Sequence, residues 1–401
     1  MARSACSAGE VLRSVPASVR TEAIRAMARH LRLHQAHILA ANAEDVSAAT
    51  TMVDRLKLDG PQLEDIARAI EQVADHPDPV GQEIARWSRP NGLDIARVRT
   101  PIGVIAMIYE SRPNVTADAA AICLRSANAV ILRSGSEALR SALAMHAALA
   151  AGLADAGLPE ACVQIVPTAD RAAVGTLLGG AGGAIDLVIP RGGKALVERV
   201  SRDARVPTLG HLEGVCHTYV HSAADPAMAV TIVVNAKMRR VSVCGATETL
   251  LIDRAIAPRL LPQIAEALPA CELRGDEEAR SIVPMRAAGE ADWSAEYLAP
   301  ILAIRTISGL DEAIAHIGRY GTAHTEAIVT EDSRAAEAFL NRVDSAIVIW
   351  NASTQFADGG EFGFGAEMGI ATGKLHARGP IGPEQLTIFK YVVRGRGQTR
   401  P

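Results

Sequence analysis

One cysteine in this sequence stands where covalent chemistry is favoured. Cys244 lies in the stretch NAKMRRVSVCGATETLLID (235–253), among small and β-branched residues, and Lys237, Arg239 and Arg240 come just before it. A thiol attacks as its thiolate, and nearby positive charge lowers the thiol pKa. The stretch therefore indicates a nucleophile that carries an acyl group on sulfur. For a lone cysteine, a buried structural thiol is the alternative.

Three further loops have residues that suit an anionic ligand. PRGGK (190–194) follows a predicted strand and opens a helix, so its backbone N–H groups and the helix dipole favour a phosphate. RSGSE (133–137) also follows a strand and offers a guanidinium and two hydroxyls. KLHARGP (374–380) gathers two cations and a histidine. Each loop has an ordinary alternative: a tight turn, a helix start and a basic surface loop.

The elements that must position these residues alternate between strand and helix. This alternation predicts βαβ units and mostly parallel sheets, with ligands at the carboxyl ends of strands. Two segments outside the main sheets alternate: Gly92 to Thr100 predicts an extended arm or hairpin, and Leu386 to Val393 predicts an edge strand. Together they suggest pairing across a subunit interface. The predicted helices are 17–41, one after Asp59, 114–126, 137–153, 171–178, one from 192, 226–238, 256–268, 309–319 and 333–342. The predicted strands are 102–108, 129–133, 162–166, 185–189, 248–252, 300–305, 326–329 and 345–350.

Composition excludes several classes of function. The chain has 401 residues, enough for two or three domains. Its net charge of -4 and its 3% aromatic content argue against a nucleic-acid partner. No apolar run reaches transmembrane length, and none resembles a signal peptide. Six cysteines lack C-x-x-C spacing, so we expect no zinc site, no disulfides and a reducing, cytoplasmic location. His30, His34 and His37 share a helix but fit a solvated face better than a metal site.

Seven segments closely resemble the γ-glutamyl phosphate reductases of the aldehyde dehydrogenase superfamily, in the same order along nearly the whole chain. The resemblance implies an α/β fold with two Rossmann-like domains and a small β oligomerisation arm. It implies a cofactor-binding domain at 1–85 and 103–213, a catalytic domain at 214–375 and an arm at 86–102 and 376–401. The segments are PIGVIAMIYESRPNVT (101–116), ILRSGSEA (131–138), IDLVIPRGGKALV (185–197), the Cys244 stretch, DEAIAHIGRYGTAHTEAI (311–328), VIWNASTQFADGGEFGFGAEMGI (348–370) and KLHARGPIG (374–382).

The resemblance also implies an activity. It is the NADPH-dependent reduction of L-glutamyl 5-phosphate to L-glutamate 5-semialdehyde with release of phosphate, the second step of proline biosynthesis. The implied partners are that substrate, NADPH/NADP, a second copy of the chain in a homodimer or homotetramer and, as an open question, glutamate 5-kinase in a transient complex. No metal, nucleic acid or membrane is implied.

Functional residues carry over position by position. Cys244 is the implied nucleophile, and Ser111 stands where oxidising members place an oxyanion donor. Glu296 matches a glutamate that holds the nicotinamide ribose. The other implied cofactor-binding residues are Arg133, Ser134, Ser136, Arg191, Gly192, Gly193 and Lys194. The implied substrate-binding residues are Arg112, Asn114, Asn351, Ser353, Lys374, His376 and Arg378.

This sequence departs from the wider superfamily at three places. Where that superfamily has Glu-Leu-Gly-Gly, the chain has His211-Leu212-Glu213-Gly214, so the glutamate that activates water is not plainly matched. Ala371-Thr372-Gly373 also differs from the usual Ser-Thr-Gln. NAD-preferring members have a carboxylate where this chain has Ser136, while Glu137, one residue later, is expected to face the following helix. An oxidising or acylating aldehyde dehydrogenase, and a silent scaffold on the same fold, are the alternatives.

Overall fold

The computed structural model describes residues 1–50 and 53–400, which form two compact units. The first comprises Met1–Gly210, Gly363–Gly369 and Pro380–Pro401, and the second comprises His211–Phe362 and Ile370–Gly379. Each unit has its own sheet. Among the described residues, no helix combines the length and the apolar character needed to cross a membrane.

Helices and strands follow one another in the order that the sequence predicts, with some additions. The helices are α1 (Ala2–Ser14), α2 (Ala17–Leu33), α3 (Gln35–Ala48), α4 (Val53–Leu56), α5 (Gly60–Asp75), α6 (Asn114–Arg125), α7 (Leu139–Asp155), α8 (Arg171–Leu178), α9 (Lys194–Asp203), α10 (Pro226–Met238), α11 (Ala257–Glu266), α12 (Glu277–Ile282), α13 (Leu310–Tyr320) and α14 (Ser333–Arg342). The strands are β1 (Glu83–Ser88), β2 (Asp94–Pro101), β3 (Val104–Tyr109), β4 (Ala129–Ser134), β5 (Val163–Ile165), β6 (Leu187–Arg191), β7 (Cys216–Val220), β8 (Thr247–Asp253), β9 (Glu272–Gly275), β10 (Arg286–Ala287), β11 (Ile301–Ile307), β12 (Thr325–Val329), β13 (Ile347–Trp350), β14 (Ile370–Ala371), β15 (Gly379–Pro380) and β16 (Thr387–Arg394).

The sheet of the first unit has four strands in the order β5-β4-β3-β6, all parallel. Every residue of β3 and of β4 is buried, which explains their continuous apolar sequences. The three loops that follow β3, β4 and β6 begin at one edge of this sheet. The loops after β4 and β6 are two of the three predicted anion-binding segments, and the fold brings them together with the loop that carries Ser111 and Arg112. The third predicted segment, 374–380, does not follow a strand of this sheet.

The helical part of the first unit departs from prediction in more than one place. The helix predicted over 17–41 is two helices, α2 and α3, with the break at His34, whose Nδ1 lies 2.9 Å from the His30 carbonyl oxygen. The helix predicted after Asp59 is confirmed, because Asp59 and Gln62 form a capping box at its first turn. Helix α1 was not predicted, although Ala5, Ala8 and Leu12 bury one side of it.

A separate antiparallel sheet in the first unit contains both predicted extended segments, as strands β2 and β16, and they pair with each other within the chain. Its order is β1-β2-β16, so β16 is an edge strand, as the tail pattern predicts. Trp87, Phe389 and Tyr391 remain exposed on this sheet, and the Tyr391 ring packs edge to face against each of the other two. We call this three-stranded sheet the arm.

The second unit is built on a seven-stranded sheet in the order β10-β9-β11-β8-β7-β12-β13, with parallel pairing throughout. Strand β7 was not predicted, because His217 and Thr218 interrupt its apolar pattern. Both are fully buried, and the Glu326 carboxylate accepts hydrogen bonds from the His217 backbone at 2.9 Å and lies 2.8 Å from its Nδ1. The prediction of an α/β fold with mostly parallel sheets is confirmed.

A buried ion pair supports the region behind the central strands of the second unit. Lys237 on α10 and Glu248 on β8 are both fully buried and bond directly to each other. Glu248 also accepts a hydrogen bond from the Leu298 backbone at 3.3 Å. Burial raises the pKa of Glu248 to about 7, although Lys237 opposes that rise.

Candidate active site

The candidate nucleophile, Cys244, lies in the loop between α10 and β8, at the amino end of its strand. Two adjacent strands place further polar side chains at the same edge: Cys216 opens β7, and His324 directly precedes β12. His211 lies in the chain segment before β7. The loops at the amino ends of three neighbouring strands thus form a candidate active site in the second unit.

Two histidines flank the Cys244 sulfur. One ring nitrogen of His211, one of His324 and the Sγ of Cys244 all lie within 4.8 Å of one another. The Nδ1 of His211 is 2.7 Å from the Ile370 carbonyl oxygen, which can only accept, so this nitrogen is the donor. The Nδ1 of His324 is 2.9 Å from Thr325 Oγ1 and 3.6 Å from Cys216 Sγ.

The pKa of the Cys244 thiol lies well below its ordinary value of 9.0. Burial raises this pKa, but His324 and His211 lower it by more, through positive charge and through hydrogen bonds to the thiolate. Burial raises the pKa of Cys216 well above that value and the pKa of Cys271 to about 11. Among these thiols, Cys244 is the one prepared to act as a thiolate.

The sequence prediction named the wrong cations for this effect. Lys237 forms an ion pair with Glu248, and the side chains of Arg239 and Arg240 are exposed to solvent. The two histidines act instead, and sequence reasoning missed both. The sequence did contain a signal for each histidine. His211 is the first residue of the segment that departs from Glu-Leu-Gly-Gly, and His324 lies within 311–328, one of the segments that resemble the family.

The structure brings Glu296 close to the nucleophile. Its Oε1 accepts a hydrogen bond from the Gly214 backbone at 3.0 Å. Gly214 in turn lies against Cys244, since a Cβ at Gly214 would come 2.2 Å from the Cys244 carbonyl oxygen. Burial raises the pKa of Glu296. Glu296, the carboxylate predicted to hold the nicotinamide ribose, is therefore connected to Cys244 through Gly214.

Asn351 and Ser353 shape the segment that supports the Cys244 loop. The side chain of Asn351 bonds both the N–H and the carbonyl of Thr330, each at 2.9 Å, which fixes its left-handed backbone (φ 54°). Ser353 is buried and its Oγ accepts a hydrogen bond from the Gln355 N–H at 3.2 Å. Both predicted substrate-side residues hold backbone in this structure.

The predicted substrate cations after the glycine-rich loop are paired with a carboxylate. Lys374 bonds directly to Asp344, and Arg378 donates to the Asp344 carboxylate at 2.6 Å and to its backbone carbonyl at 2.8 Å. Hydrogen bonds from both cations lower the pKa of Asp344 to about 2. His376 lies between them in the chain and is exposed. The three residues share one loop, as predicted.

In the first unit, the loop after β6 holds an anion of the chain itself. Gly193, which precedes α9, donates its backbone N–H to the Glu110 carboxylate at 2.9 Å. A Cβ at Gly192 would lie 2.5 Å from the same carboxylate oxygen. Arg191 pairs with Glu367 at 3.0 Å, and Lys194 opens the helix as an exposed residue.

The loop after β4 turns its arginine inward. Arg133 is buried and donates to the carbonyls of Ser134 at 2.7 Å and Ala169 at 3.0 Å. Its Nε and the Ser134 Oγ have no hydrogen-bond partner among the described residues. Ser136 is exposed at the start of a short 3-10 turn.

The loop after β3 contains Ser111, Arg112 and Asn114. The N–H and Oγ of Ser111 both donate to one oxygen of Glu137, each at 2.8 Å. Glu137 therefore faces Ser111 and not the following helix, contrary to expectation. The Asn114 amide donates to Asp118 at 2.7 Å, and Arg112 is half-buried.

Two α/β units with parallel sheets are the architecture of the aldehyde dehydrogenases. The family model described as "Aldehyde dehydrogenase family" matches residues 1–298, and the chain belongs to that family. The family indicates a nicotinamide cofactor.

Within this family, the chain has high sequence identity to γ-glutamyl phosphate reductases. A γ-glutamyl phosphate reductase of Caulobacter sp. (strain K31) is 63% identical over all of this chain and 98% of its own length. One of Parvibaculum lavamentivorans is 57% identical over 98% of this chain and 95% of its own. The crystal structure of the γ-glutamyl phosphate reductase from Thermotoga maritima matches with a TM-score of 0.96 at 42% identity, covering 100% of this chain and 99% of that one. The resemblance that the sequence indicates is confirmed.

More distant structures share the fold alone. An acetylating aldehyde dehydrogenase from Geobacillus thermoglucosidasius matches with a TM-score of 0.73 at 19% identity, over all of this chain and 96% of that one.

Proposed function

We propose that this chain reduces L-glutamyl 5-phosphate to L-glutamate 5-semialdehyde and phosphate, with NADPH as hydride donor. The observation that carries the chemistry is Cys244 held between two imidazoles with its thiol pKa well below the ordinary value. An acyl phosphate is an activated substrate, so a thiolate is sufficient to open it. The high identity to γ-glutamyl phosphate reductases supports this choice of substrate.

The first unit fits the cofactor. The Glu110 carboxylate accepts a hydrogen bond from the Gly193 N–H at the amino end of α9. An anion is thus accommodated there by the chain itself, which supports the same helix end as the binding site for the cofactor pyrophosphate. The buried Arg133 Nε and Ser134 Oγ are donors in need of an acceptor, which a 2′-phosphate would supply. Exposed Ser136 adds no charge that would repel this phosphate. These features support NADPH over NADH, with Glu296 as the ribose ligand.

The chain's own residues account for each step at the substrate. The Cys244 thiolate attacks the acyl carbon, the carbon–sulfur bond forms, and the bond to phosphate oxygen breaks. An imidazolium of the flanking pair gives one proton to the departing phosphate. The Cys244 backbone N–H stabilises the oxyanion, and Ser111 is the proposed second donor. When bound, NADPH would supply the hydride that takes the thioester to the aldehyde level. The carbon–sulfur bond would then break, which releases the aldehyde and regenerates the Cys244 thiolate.

An imidazole at position 211 also argues against the oxidising alternative. That chemistry needs a water activated by a carboxylate, whereas His211 stands where the superfamily has its glutamate. Here the thioester must be kept from water until it is reduced.

The reverse reaction provides the test of the proposed function. L-glutamate 5-semialdehyde and NADP should yield NADPH only when inorganic phosphate is present, with coenzyme A unable to replace it. Cys244→Ala should abolish this turnover and still bind NADPH, and Cys271→Ala should stay active as its matched control. Turnover that follows coenzyme A, or that proceeds without any acyl acceptor, would contradict the proposal. A coupled assay with glutamate 5-kinase checks the forward direction and any transient complex between the two proteins.

We further propose that the arm joins copies of the chain into a homodimer or homotetramer. The exposed aromatics Trp87, Phe389 and Tyr391 support this proposal, because a soluble arm rarely exposes three adjoining rings. Sedimentation analysis should show a dimer or tetramer for the unaltered chain and dissociation for Trp87→Glu/Tyr391→Glu.

A further inference from the structure

The cluster around Cys244 has a composition that the reductase chemistry does not require. Two imidazole nitrogens and one thiol sulfur lie within 4.8 Å of one another. A thiolate needs one cationic neighbour, whereas a thiolate with two imidazoles is the ligand set that borderline-soft metal ions prefer. The set draws on three different loops, so it depends on the fold.

A second, independent observation points to a ligand at this place. The His324 side chain is fully buried, and apart from the Cys244 thiolate itself its Nε2 has no hydrogen-bond partner in the part of the chain that the structure describes. A buried polar nitrogen that lacks a partner costs free energy, so this nitrogen needs the sulfur or another ligand. A thiolate can accept a hydrogen bond from this nitrogen when its ring is protonated. When the ring is neutral and Nδ1 carries its proton, Nε2 holds an open lone pair.

His211 has the outer hydrogen bond that metal-binding histidines commonly make. Its Nδ1 donates to the Ile370 carbonyl at 2.7 Å, so in the neutral ring the lone pair is on Nε2. A histidine that binds a metal ion through one nitrogen commonly donates the other to a carbonyl or carboxylate. His211 already has that outer hydrogen bond, which fixes the orientation of its ring.

We propose that His211, Cys244 and His324 form a binding site for a single Zn²⁺ ion that inhibits the enzyme reversibly. Zinc is bound tetrahedrally, with distances of about 2.3 Å to sulfur and about 2.0 Å to nitrogen. Ligand atoms around such an ion lie about 3.5 Å apart. The ligand atoms of His211, Cys244 and His324 lie within 4.8 Å of one another, so side-chain movements of about 1 Å would bring them to zinc-binding distances.

Zinc inhibits the enzyme because it binds the sulfur electron pair that would otherwise attack the substrate. The thiol proton, or the proton held by the imidazole pair, leaves to solvent as the sulfur electron pair binds Zn²⁺. That electron pair is then unavailable to the acyl carbon. The fourth position on the ion holds water. The inhibition, though not the binding, depends on the function proposed above.

Metal binding is measured first without reference to turnover. Full-length protein, treated with a chelator and a reductant, is titrated with Co²⁺ and then with Zn²⁺. One equivalent of Co²⁺ should produce tetrahedral ligand-field bands and a thiolate charge-transfer band, and one equivalent of Zn²⁺ should remove both. Mg²⁺, which prefers oxygen ligands, should produce neither.

Variants assign the ligands. Cys244→Ser should remove the charge-transfer band, and His324→Gln should weaken Zn²⁺ binding by about tenfold or more. Cys271→Ser, a partly buried thiol in the same unit, should bind as the unaltered protein does. In the unaltered protein, Zn²⁺ should also protect Cys244 from iodoacetamide, and this measurement needs no variant to fold.

Two results would overturn the proposal. One is unchanged Zn²⁺ affinity in both Cys244→Ser and His324→Gln. The other is full reductase turnover with one equivalent of Zn²⁺ bound, which would leave a site without inhibition. Failure of the proposed function is distinguishable, because a chain that binds Zn²⁺ through these residues but never turns over the acyl phosphate or aldehyde keeps the metal site and loses the reductase assignment.

Discussion

Replacing His324 with glutamine should raise the pKa of the Cys244 thiol. One ring nitrogen of His324 lies within 4.8 Å of the sulfur. At 4.8 Å, with an effective dielectric constant of about 20, two unit charges of opposite sign attract by about 3.5 kcal/mol, so removing the positive charge of this ring removes a large part of what stabilises the thiolate. Glutamine keeps a hydrogen-bond donor of similar reach and removes only the charge.

The measurement is the rate of Cys244 alkylation by iodoacetamide as a function of pH. Thiolate is the reactive form and accumulates above the thiol pKa, so the midpoint of the rate profile should move to higher pH in the variant. The acidic limb of kcat/KM should move in the same direction. Mass spectrometry of the Cys244 peptide separates its reaction from that of exposed Cys6.

A second buried histidine supplies the control. His316 lies in the same unit, and burial lowers its pKa to about 3, so it carries no charge at neutral pH. His316→Gln should therefore leave the alkylation midpoint where it is. A midpoint that moves by less than a few tenths in His324→Gln would refute the assignment of this histidine as the source of the thiolate.

Three further outcomes are expected. Lys237→Met leaves the Glu248 carboxylate buried without its partner and should lower the free energy of unfolding by about 3–5 kcal/mol. Burial raises the folded-state pKa of Glu248 to about 7, above its unfolded value, so this loss of stability should grow as the pH rises through about 7 and the carboxyl ionises. Denaturant titrations at several pH values measure it. Adding Glu248→Leu to Lys237→Met should restore stability. Ser136→Glu should shift kcat/KM from NADPH toward NADH, whereas Ser136→Gln should not, and equal preference in the unaltered chain would contradict the cofactor proposal. Arg378→Gln should raise KM for the acyl phosphate well before it affects NADPH, with exposed Lys390→Gln as control; unchanged substrate kinetics would remove Arg378 from the site.

Local patterns in the sequence predicted most of the fold. Strands β3 and β4 have continuous apolar runs, and Asp59 with Gln62 marks a helix start that the structure has. Strand β7 escaped prediction because its polar residues are satisfied by groups far along the chain. Glu326 serves His217, and Thr247 Oγ1 lies 2.6 Å from Thr218 Oγ1. Such pairings have no local signature.

The candidate site was predictable in its nucleophile and not in its electrostatics. Cys244 could be found from the small residues around it. The charges nearest in sequence misled, because Lys237 faces Glu248 inside the fold. The effective charges come from His211 and His324, which reach the sulfur only because β7, β8 and β12 are neighbours in one sheet. Sequence distance hides that relation.

The arm has a consequence for how the protein is made. Strand β2 finds its partner β16 only after most of the chain has been synthesised: Arg99 and Thr387, whose side chains bond at 3.1 Å, are 288 residues apart. At translation rates of about 5–20 residues per second, β2 waits about 15–60 s with one edge unpaired. During that interval the β1–β2 hairpin can pair with another nascent chain, since an open strand edge is a template for any extended segment. Ribosomes that follow one another on the same message would bring such segments together, so slow synthesis of the segment between β2 and β16 should favour aggregation.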